Sequence, residues 1–480
     1  MTEIQKVTFP ANSSAAAIDT TSSSYNLGTK LKGRTLVSTR FLVALALVVF
    51  HALLGTCPEA GAQTQNNVPV QNGSVFNPEG PAPLTGPSAL AVSNDAPPNG
   101  TTAGAIEAIA VDPSHPGTIY VGSVNGGIWK TTNDGMNWMP LTDQKASLSI
   151  ASLAFDPMDP THQTLIAGIG ITSNGGFGSL SLPAPVGSGG LRNGLLYSRD
   201  GGATWTRLGE TTLSRQSVVG VAALGNTILA ATFEPEVVRG TTGGLYRSTD
   251  SGATFRKVSG APGSGLPKGP VSSLVSDPSN PNVFYAAITG DSGPSVWVSR
   301  NAGGTWEMRN NKLNEELIQL IPKGVKNNTF VRIAVGPNQM LALGLVDAKN
   351  NQLLGLFYSK DAGANWRLLP MQATPAIYPQ GTNFALAIDP YNSSLVYVMG
   401  TNVSAKNDKL QAALAIYRIN AATNTFAKMS DDNGKGNTAN GSWVHPDGRA
   451  FAFDVNGTLL TTTDTGLYAR TNHQNSTGIW

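Results

Sequence analysis

The chain has 480 residues, of which 40% are apolar and 13% charged, and it contains 54 Gly and 30 Pro. This composition allows a large core but requires frequent turns, which is typical of an all-β protein. Its 32 basic and 30 acidic side chains give a formal charge of +2. Electrostatics therefore give no reason to expect nucleic acid or an anionic membrane surface as a partner.

Residues 1–62 are predicted to be a secretory signal peptide with a long leader. The apolar run Phe41–Leu54 follows four basic residues and precedes the small residues Ala60–Ala62, which fit a cleavage site. Two alternatives remain. The run could anchor the chain in a membrane, although it is short for the ~30 Å hydrocarbon core, or Cys57 in "LGTC" could be lipidated. Cleavage after Ala62 removes the single cysteine, so packing alone must stabilise the mature protein.

Residues 63–104 are rich in Pro, Gly, Asn, Ser and Thr, as expected for a poorly ordered linker. From residue 105 to residue 480 an eight-residue core, Ser-x-Asp-x-Gly-x-Thr-Trp, then recurs. The aromatic residues that close its copies are 50 to 67 residues apart: Trp138, Trp205, Phe255, Trp306, Trp366, Phe426 and Trp480. Repetition at this period indicates a propeller or a solenoid.

Each unit carries the same parts upstream of its core. A short apolar strand ends in Asp-Pro or a related pair, as at Asp112, Asp156 and Asp389, a second strand follows, and a third begins at an apolar and aromatic cluster. The repeated core then leads to a fourth strand. Four short strands per unit without helical periodicity predict that residues 105–480 form an all-β, single seven-bladed β-propeller of four-stranded antiparallel blades.

The repeated core is predicted to be structural. Its aspartate can accept hydrogen bonds from the N–H groups of its own turn, its glycine can take a positive φ, and its aromatic ring can be buried. A catalytic centre is needed once, whereas this motif occurs in every unit. The residues given this structural role are Asn133, Trp138, Asp200, Gly202, Trp205, Asp250, Gly252, Phe255, Asn301, Trp306, Asp361, Gly363 and Trp366.

These cores resemble the Asp-boxes, or bacterial neuraminidase repeats, of the Asp-box β-propeller superfamily. That superfamily includes sialidase-like, xyloglucanase-like and sortilin-like proteins and photosystem assembly factors. The resemblance covers residues 105–480. It implies that each box lies on the turn between the third and fourth strands, on the face away from the ligand. Asp200, Asp250 and Asp361 are then not catalytic.

The opposite face is expected to carry the ligand site, because unequal loops between second and third strands meet there. These loops are predicted at residues 170–194, 233–244, 346–355 and 402–413. Arg192 and Arg239 could bind a carboxylate. Glycoside hydrolysis needs two carboxylates ~5 to 9.5 Å apart, and the candidates are Glu234, Glu236, Asp291, Asp347 and Asp408. Solvated loop charges are the alternative interpretation.

A distinctive polar cluster, "WVHPDGR", leads into the last blade. If the first strand of that blade begins at Ala450, His445, Asp447 and Arg449 lie at or near the central channel. His445 and Asp447 could then orient a sugar or a metal-bound water. The alternative is a Pro-Asp-Gly turn with a structural histidine. No metal or other cofactor is expected, since the sequence offers no convincing metal-binding constellation.

Two specific glycosidase assignments are disfavoured. Sialidases share an early arginine motif that "AIEAIAVDP" does not contain, and xyloglucanase-type enzymes need two propellers where this chain has room for one. The sequence therefore predicts a secreted module that binds a glycan or a protein surface through the loop face. A glycoside hydrolase and an assembly or scaffold factor are the alternatives. Membrane association is expected only if the N-terminal segment is uncleaved or Cys57 is lipidated.

Ring closure is also predicted. The seventh unit supplies three strands before Trp480, so its fourth must come from elsewhere. Residues Phe76–Leu84 lie in a Pro-rich stretch of the linker, and we expect them to pair with Gly466–Thr471 as the outermost strand of the last blade. Their prolines are tolerable there because an outermost strand pairs on one side only. The alternative is that a missing C-terminal segment completes the ring.

Overall fold

The structure is a computed structural model. It describes residues 105–170, 192–233, 243–290, 293–310, 329–347, 352–369, 383–406, 409–430, 444, 448–475, 478 and 480. Within these residues the chain forms seven antiparallel sheets that follow one another along the sequence, and no α-helix occurs among them. The predicted signal peptide and linker, residues 1–104, lie outside the described residues.

The first four blades each contain four strands. Their bounds are β1 (Ile106–Val111), β2 (Ile119–Ser123), β3 (Ile128–Thr131) and β4 (Met139–Pro140); β5 (Ile150–Phe155), β6 (Leu165–Ile169), β7 (Leu195–Ser198) and β8 (Thr206–Leu208); β9 (Val218–Leu224), β10 (Thr227–Thr232), β11 (Gly244–Ser248) and β12 (Arg256–Lys257); β13 (Val271–Asp277), β14 (Asn280–Gly290), β15 (Gly293–Ser299) and β16 (Glu307–Met308).

Blades 5 and 6 also have four strands, and the described part of blade 7 has three. Their bounds are β17 (Thr329–Val335), β18 (Leu341–Asp347), β19 (Gln352–Ser359) and β20 (Arg367–Leu368); β21 (Ala385–Ile388), β22 (Leu395–Lys406), β23 (Lys409–Asn420) and β24 (Thr425–Lys428); β25 (Ala450–Phe453), β26 (Leu459–Thr463) and β27 (Gly466–Arg470).

This architecture confirms the predicted seven-bladed propeller. Strands pair in chain order within every sheet, and the repeated core lies between the third and fourth strands, as where Asp200 follows β7 and precedes β8. The first strand of the last blade begins at Ala450, which is the condition under which Arg449 was expected at or near the central channel.

The prediction of a long loop in blade 6 at residues 402–413 is wrong. Strands β22 and β23 continue through most of that range and stay in register from Leu395↔Asn420 to Lys406↔Lys409. The segment is polar, which favours a loop in a sequence. However, an antiparallel hairpin can extend into solvent because its backbone hydrogen bonds need no buried face. In blade 5 the predicted loop 346–355 is also partly strand, since β18 ends at Asp347 and β19 begins at Gln352.

The aromatic residue of each box joins its own blade to the preceding one. Trp205 of blade 2 lies in one apolar cluster with Tyr120 and Ile128 of blade 1. Trp366 of blade 5 lies in another with Tyr285 of blade 4. The same relation holds for the other box aromatics: Phe255, Trp306, Phe426 and Trp480. The repeated ring therefore acts as a wedge between neighbouring blades, which explains why it is large and apolar.

The same wedge joins the last blade to the first. Trp138 of blade 1 packs against an apolar cluster that contains Ile106 and Val121 of its own blade and Leu460 of blade 7. Glu107 on β1 also pairs with Arg449, which immediately precedes β25. Side-chain contacts between blades 1 and 7 thus contribute to ring closure.

Closure by Phe76–Leu84 remains a prediction, because that segment lies outside the described residues. Among those residues, β27 pairs with β26 on one side. Deleting residues 63–86 is expected to lower the melting temperature and promote aggregation, because an unpaired strand edge is exposed. Deleting residues 63–75 serves as the control and should change neither. The prediction is tested by thermal melting with light scattering, and identical behaviour of the two deletions would contradict it.

Candidate functional site

The boxes form closed hydrogen-bonded turns. In blade 2, Asp200 Oδ1 accepts hydrogen bonds from Ser198 Oγ at 2.8 Å and from the backbone N–H of Thr204 at 2.8 Å. Ser198 Oγ in turn accepts the N–H of Gly202 at 2.9 Å, and Gly202 has a φ of 88°. The carboxylate is thus engaged by its own turn, which is the structural arrangement predicted.

Because the box carboxylates are hydrogen-bonded in the folded state, we expect the stability of the fold to decrease at low pH. In blade 3, hydrogen bonds from Thr254, Ser248 and the local backbone lower the pKa of Asp250 from 3.8 to about 2. A carboxyl whose pKa is lower in the folded state stabilises the fold above its unfolded pKa. That contribution is present above about pH 3.8 and is lost as the pH falls through about 2. Hydrogen bonds also lower the pKa of Asp200.

Blade 4 carries an uncharged residue at the box position, which suggests a variant that tests this prediction. Asn301 occupies the box position in blade 4, and its Oδ1 accepts the N–H of Thr305 at 2.9 Å without carrying a titratable proton. The variant Asp250→Asn should therefore retain near-wild-type stability at pH 7 and lose less stability than wild type between pH 4 and pH 2. Urea unfolding at a series of pH values measures this. If the free energy of unfolding of the variant decreased below pH 4 as steeply as that of the wild type, the prediction would be contradicted.

The opposite end of the propeller contains the mouth of the central channel. The register Ile106↔Ser123 places the start of β1 beside the end of β2, so the first strands begin on the face that carries the loops between second and third strands. The first strands of all seven blades line a cavity of about 250 Å³. This cavity is the candidate site, because it is concave and lies on the predicted ligand face.

Among the described residues, three charged side chains line this cavity: Glu107 of blade 1, Arg332 of blade 5 and Arg449 of blade 7. Arg449 Nη1 donates a hydrogen bond to Glu107 Oε2 at 2.9 Å, and both side chains are only 5% exposed. Arg332 Nη1 donates to the carbonyl oxygen of Ser272 at 2.9 Å. Burial lowers the pKa of Arg332, and the charge of Glu107 partly opposes that shift. The Glu107 carboxylate therefore interacts electrostatically with the guanidinium groups of both Arg449 and Arg332.

The predicted site residues are distributed as follows. Arg449 lines the channel, as predicted, but it is bound to Glu107. Arg192 is half-buried just before β7 and is not among the cavity-lining residues. Asp347 is a fully buried strand-end residue rather than a solvated loop charge. The remaining candidates lie outside the described residues and stay predictions: Glu234, Glu236, Arg239, Asp291, Asp408, His445 and Asp447.

Glu107 and Arg332 line the channel but were not predicted from the sequence as channel residues. Each is a charged residue inside an apolar first strand, "IEAIAV" and "TFVRIAV". A charged residue in such a strand indicates a buried side chain with a partner, since Glu and Arg are seldom buried without one. The partners could not be identified from local sequence, because Glu107 and Arg449 are 342 positions apart.

A second buried polar cluster lies at the Asp-Pro turn of blade 6. Asp389 is fully buried. It accepts hydrogen bonds from Tyr397 Oη and pairs with His473 Nε2, each at 3.0 Å. Gln474 Nε2 also donates to both carboxylate oxygens. Burial and the charge of Asp389 raise the pKa of Tyr397. These contacts link blade 6 to the last repeat, and we interpret the cluster as structural.

A larger cavity of about 600 Å³ lies beside the box of blade 3. Two of its cationic side chains are engaged by backbone carbonyls: Arg247 Nε donates to Ala302 O and Lys257 Nζ donates to Gly243 O. It lies on the face of the boxes, where the carboxylates are hydrogen-bonded within their own turns. We therefore favour the central channel as the site.

In the described part of the chain, no group of three or more His, Cys, Asp or Glu side chains is arranged to hold a metal ion. No helix among those residues is long and apolar enough to cross a membrane.

Comparison with known proteins identifies the repeat. Residues 196–207 match the BNR/Asp-box repeat family. A probable oligoxyloglucan-reducing end-specific xyloglucanase of Neosartorya fischeri is 25% identical over 222 residues, which are 43% of this chain and 24% of the relative. An oligoxyloglucan-reducing end-specific xyloglucanase of Emericella nidulans is 25% identical over 217 residues, which are 42% of this chain and 24% of the relative. The chain thus spans about a quarter of the length of these relatives.

Solved structures show the same fold. The GH74 xyloglucanase from Xanthomonas campestris superposes with a TM-score of 0.51 at 19% identity, covering 77% of this chain and 52% of that one. An ancestral GH74 enzyme gives a TM-score of 0.54 at 19% identity, covering 79% and 46%. The chain is therefore a seven-bladed β-propeller with an Asp-box repeat, and its fold is similar to that of the GH74 enzymes.

Proposed function

We propose that the chain is a secreted propeller that binds carbohydrate without hydrolysing it. Binding takes place on the face that carries the loops between second and third strands. Two relatives are named as xyloglucanases, which supports a polysaccharide ligand. Secretion rests on the predicted signal peptide in residues 1–62.

One observation carries the choice of binding over catalysis. Glycosidases of the common type need two carboxyl groups on either side of the scissile bond, ~5 to 9.5 Å apart. Among the described residues that line the channel, Glu107 is the single carboxylate. Its Oε2 accepts a hydrogen bond from Arg449 at 2.9 Å. The described part of the channel thus supplies one carboxylate, engaged by a guanidinium, where hydrolysis needs two.

A glycoside hydrolase is the second candidate, and the names of the curated relatives favour it. In that case the acid and base must come from the loops, where Glu234 and Glu236 are two of the sequence-predicted carboxylates, beside Asp291, Asp408 and Asp447. The variant Glu234→Gln/Glu236→Gln separates the candidates, because it would abolish hydrolysis if these groups are catalytic.

A glycan array tests the proposal, followed by calorimetry with the glycans that bind. The array should include xyloglucan oligosaccharides and other neutral β-glucans beside acidic glycans. We expect at least one glycan class to bind saturably. An array with no bound glycan, together with capture of a protein partner, would contradict the proposal and favour the protein-surface alternative.

A further inference from the structure

We propose that the cavity beside the box of blade 3 binds the phosphate or sulfate group of an ester, held between the guanidinium groups of Arg247 and Arg256. The two arginines lie on β11 and β12, and both line this cavity of about 600 Å³. This site goes beyond the proposed function, because it lies on the face of the boxes and involves neither the loops nor the central channel.

Arg247 and Arg256 are direct cross-strand partners in the antiparallel pair of β11 and β12. Residues opposite each other in such a pair point to the same face of the sheet with Cβ atoms about 5 Å apart, and like charges there are destabilising. Within the described part of the chain, neither arginine forms an ion pair with a carboxylate. An anion bound between the two guanidinium groups would replace their repulsion by attraction.

The same position in other blades separates the structural role of Arg247 from that of Arg256. Arg247 Nε donates a hydrogen bond to the carbonyl oxygen of Ala302 in the next blade at 2.8 Å. In blades 1 and 6 a cation at this position also donates to a carbonyl of the next blade, but its cross-strand partner is uncharged. These two pairs are Lys130 with Met139 and Arg418 with Ala427. The contact between blades therefore accounts for Arg247 and leaves Arg256 without a structural explanation.

The cavity has a positive lining. Its described residues include one carboxylate, Asp250, and three cationic side chains, Arg247, Arg256 and Lys257. Asp250 Oδ1 accepts the N–H of Thr254 within the box turn at 2.9 Å, and Lys257 Nζ is hydrogen-bonded to a backbone carbonyl. Burial lowers the pKa of Arg247, so its guanidinium is partly removed from water, whereas Arg256 is exposed. Arg256 is therefore accessible to a ligand, and Arg247 lies beside it.

The arrangement of two guanidinium groups suits a tetrahedral oxyanion. Guanidinium groups bind phosphate and carboxylate oxygens through paired N–H donors. A phosphate or sulfate ester has three terminal oxygens and can bond both arginines, whereas a carboxylate has only two. The cavity of about 600 Å³ corresponds to roughly 20 water molecules at about 30 Å³ each, which exceeds the size of an inorganic ion. The rest of an ester can contact Pro262 and the hydroxyl-bearing Thr249, which are exposed in the cavity wall.

Titration calorimetry at constant ionic strength tests the site with D-glucose 6-phosphate, D-glucose 6-sulfate and neutral D-glucose. We expect at least one ester to bind about tenfold or more tightly than glucose, as for a charged hydrogen bond. Tighter binding of the phosphate would identify a phosphate ester as the ligand source, and binding of the sulfate at least as tightly would identify a sulfate ester. Both results support the site, whereas esters that bind no more tightly than glucose would overturn it.

Variants locate the site. Arg256→Gln is expected to weaken ester binding by about tenfold or more, because it removes a charged hydrogen-bond donor. Arg199→Gln removes an exposed arginine from the box of blade 2 and changes the net charge equally, so it serves as the matched control and should bind like the wild type. Unchanged affinity in Arg256→Gln, or an equal loss in Arg199→Gln, would overturn the proposal.

Arg256→Glu separates ligand binding from folding. A glutamate opposite Arg247 replaces repulsion by attraction, so without ligand the variant should melt at or above the temperature of the wild type. The ester that binds should raise the melting temperature of the wild type, since a ligand that binds the folded state stabilises it, and should leave that of Arg256→Glu unchanged. An equal rise in both proteins would contradict the site. A variant that melts well below the wild type without ligand would assign Arg256 a structural role and also overturn the proposal.

Discussion

Replacing Trp366 by alanine is expected to lower the free energy of unfolding by about 3–5 kcal/mol, the usual cost for a large core aromatic. Trp366 is 3% exposed and lies in one apolar cluster with Tyr285 and Phe357. Its Nε1 donates a hydrogen bond to the carbonyl oxygen of Arg309 at 2.8 Å. Alanine would leave a cavity between blades 4 and 5 and an unpaired carbonyl beside it.

Chemical denaturation measures this loss, with Met136→Ala as the matched control. Met136 lies in the box of blade 1 but is 76% exposed, and surface truncations usually change stability by less than about 0.5 kcal/mol. If Trp366→Ala unfolded at the same denaturant concentration as the control, the role of the box aromatics as wedges between blades would be wrong.

Glu107→Gln is expected to cost a similar amount, about 3–5 kcal/mol, because breaking one side of a buried ion pair leaves an uncompensated charge. The pair with Arg449 joins blade 1 to blade 7, and the variant also removes the nearby negative charge that acts on Arg332. The loss should therefore weaken ring closure as well as the channel wall.

A double-mutant cycle isolates this effect. Arg449→Met removes the second charge and fills a similar volume, so Glu107→Gln/Arg449→Met should regain part of the stability that Glu107→Gln loses. Urea unfolding of the wild type and the three variants gives the coupling free energy. Strictly additive losses would contradict direct coupling between the two side chains.

Much of the fold could be predicted from sequence because its determinants are local. The box turn depends on residues four positions apart, as between Asp200 and Thr204, and the Asp-Pro turns work at even shorter range, as where Asp112 Oδ1 accepts the N–H of Ser114. Local hydrogen bonds of this kind repeat with the sequence and so reveal the period.

The candidate site was less accessible to sequence analysis because its determinants are not local. Glu107 and Arg449 meet only after the ring has closed, so no spacing in the sequence indicates their pairing. Arg449 was correctly placed near the channel, but its role as the partner of Glu107 became clear only from the geometry. The extended hairpin of blade 6 was missed for a different reason: its polar composition favours a loop, while strand pairing favours continued β structure.

We propose above that the propeller binds carbohydrate and leaves it intact. Mass spectrometry tests it most directly: the protein is incubated at high concentration with each oligosaccharide that binds, including xyloglucan oligosaccharides, and the products are analysed over time. We expect saturable binding with no change in oligosaccharide mass. Shorter oligosaccharides produced by wild type and absent with Glu234→Gln/Glu236→Gln would contradict it and establish a glycoside hydrolase.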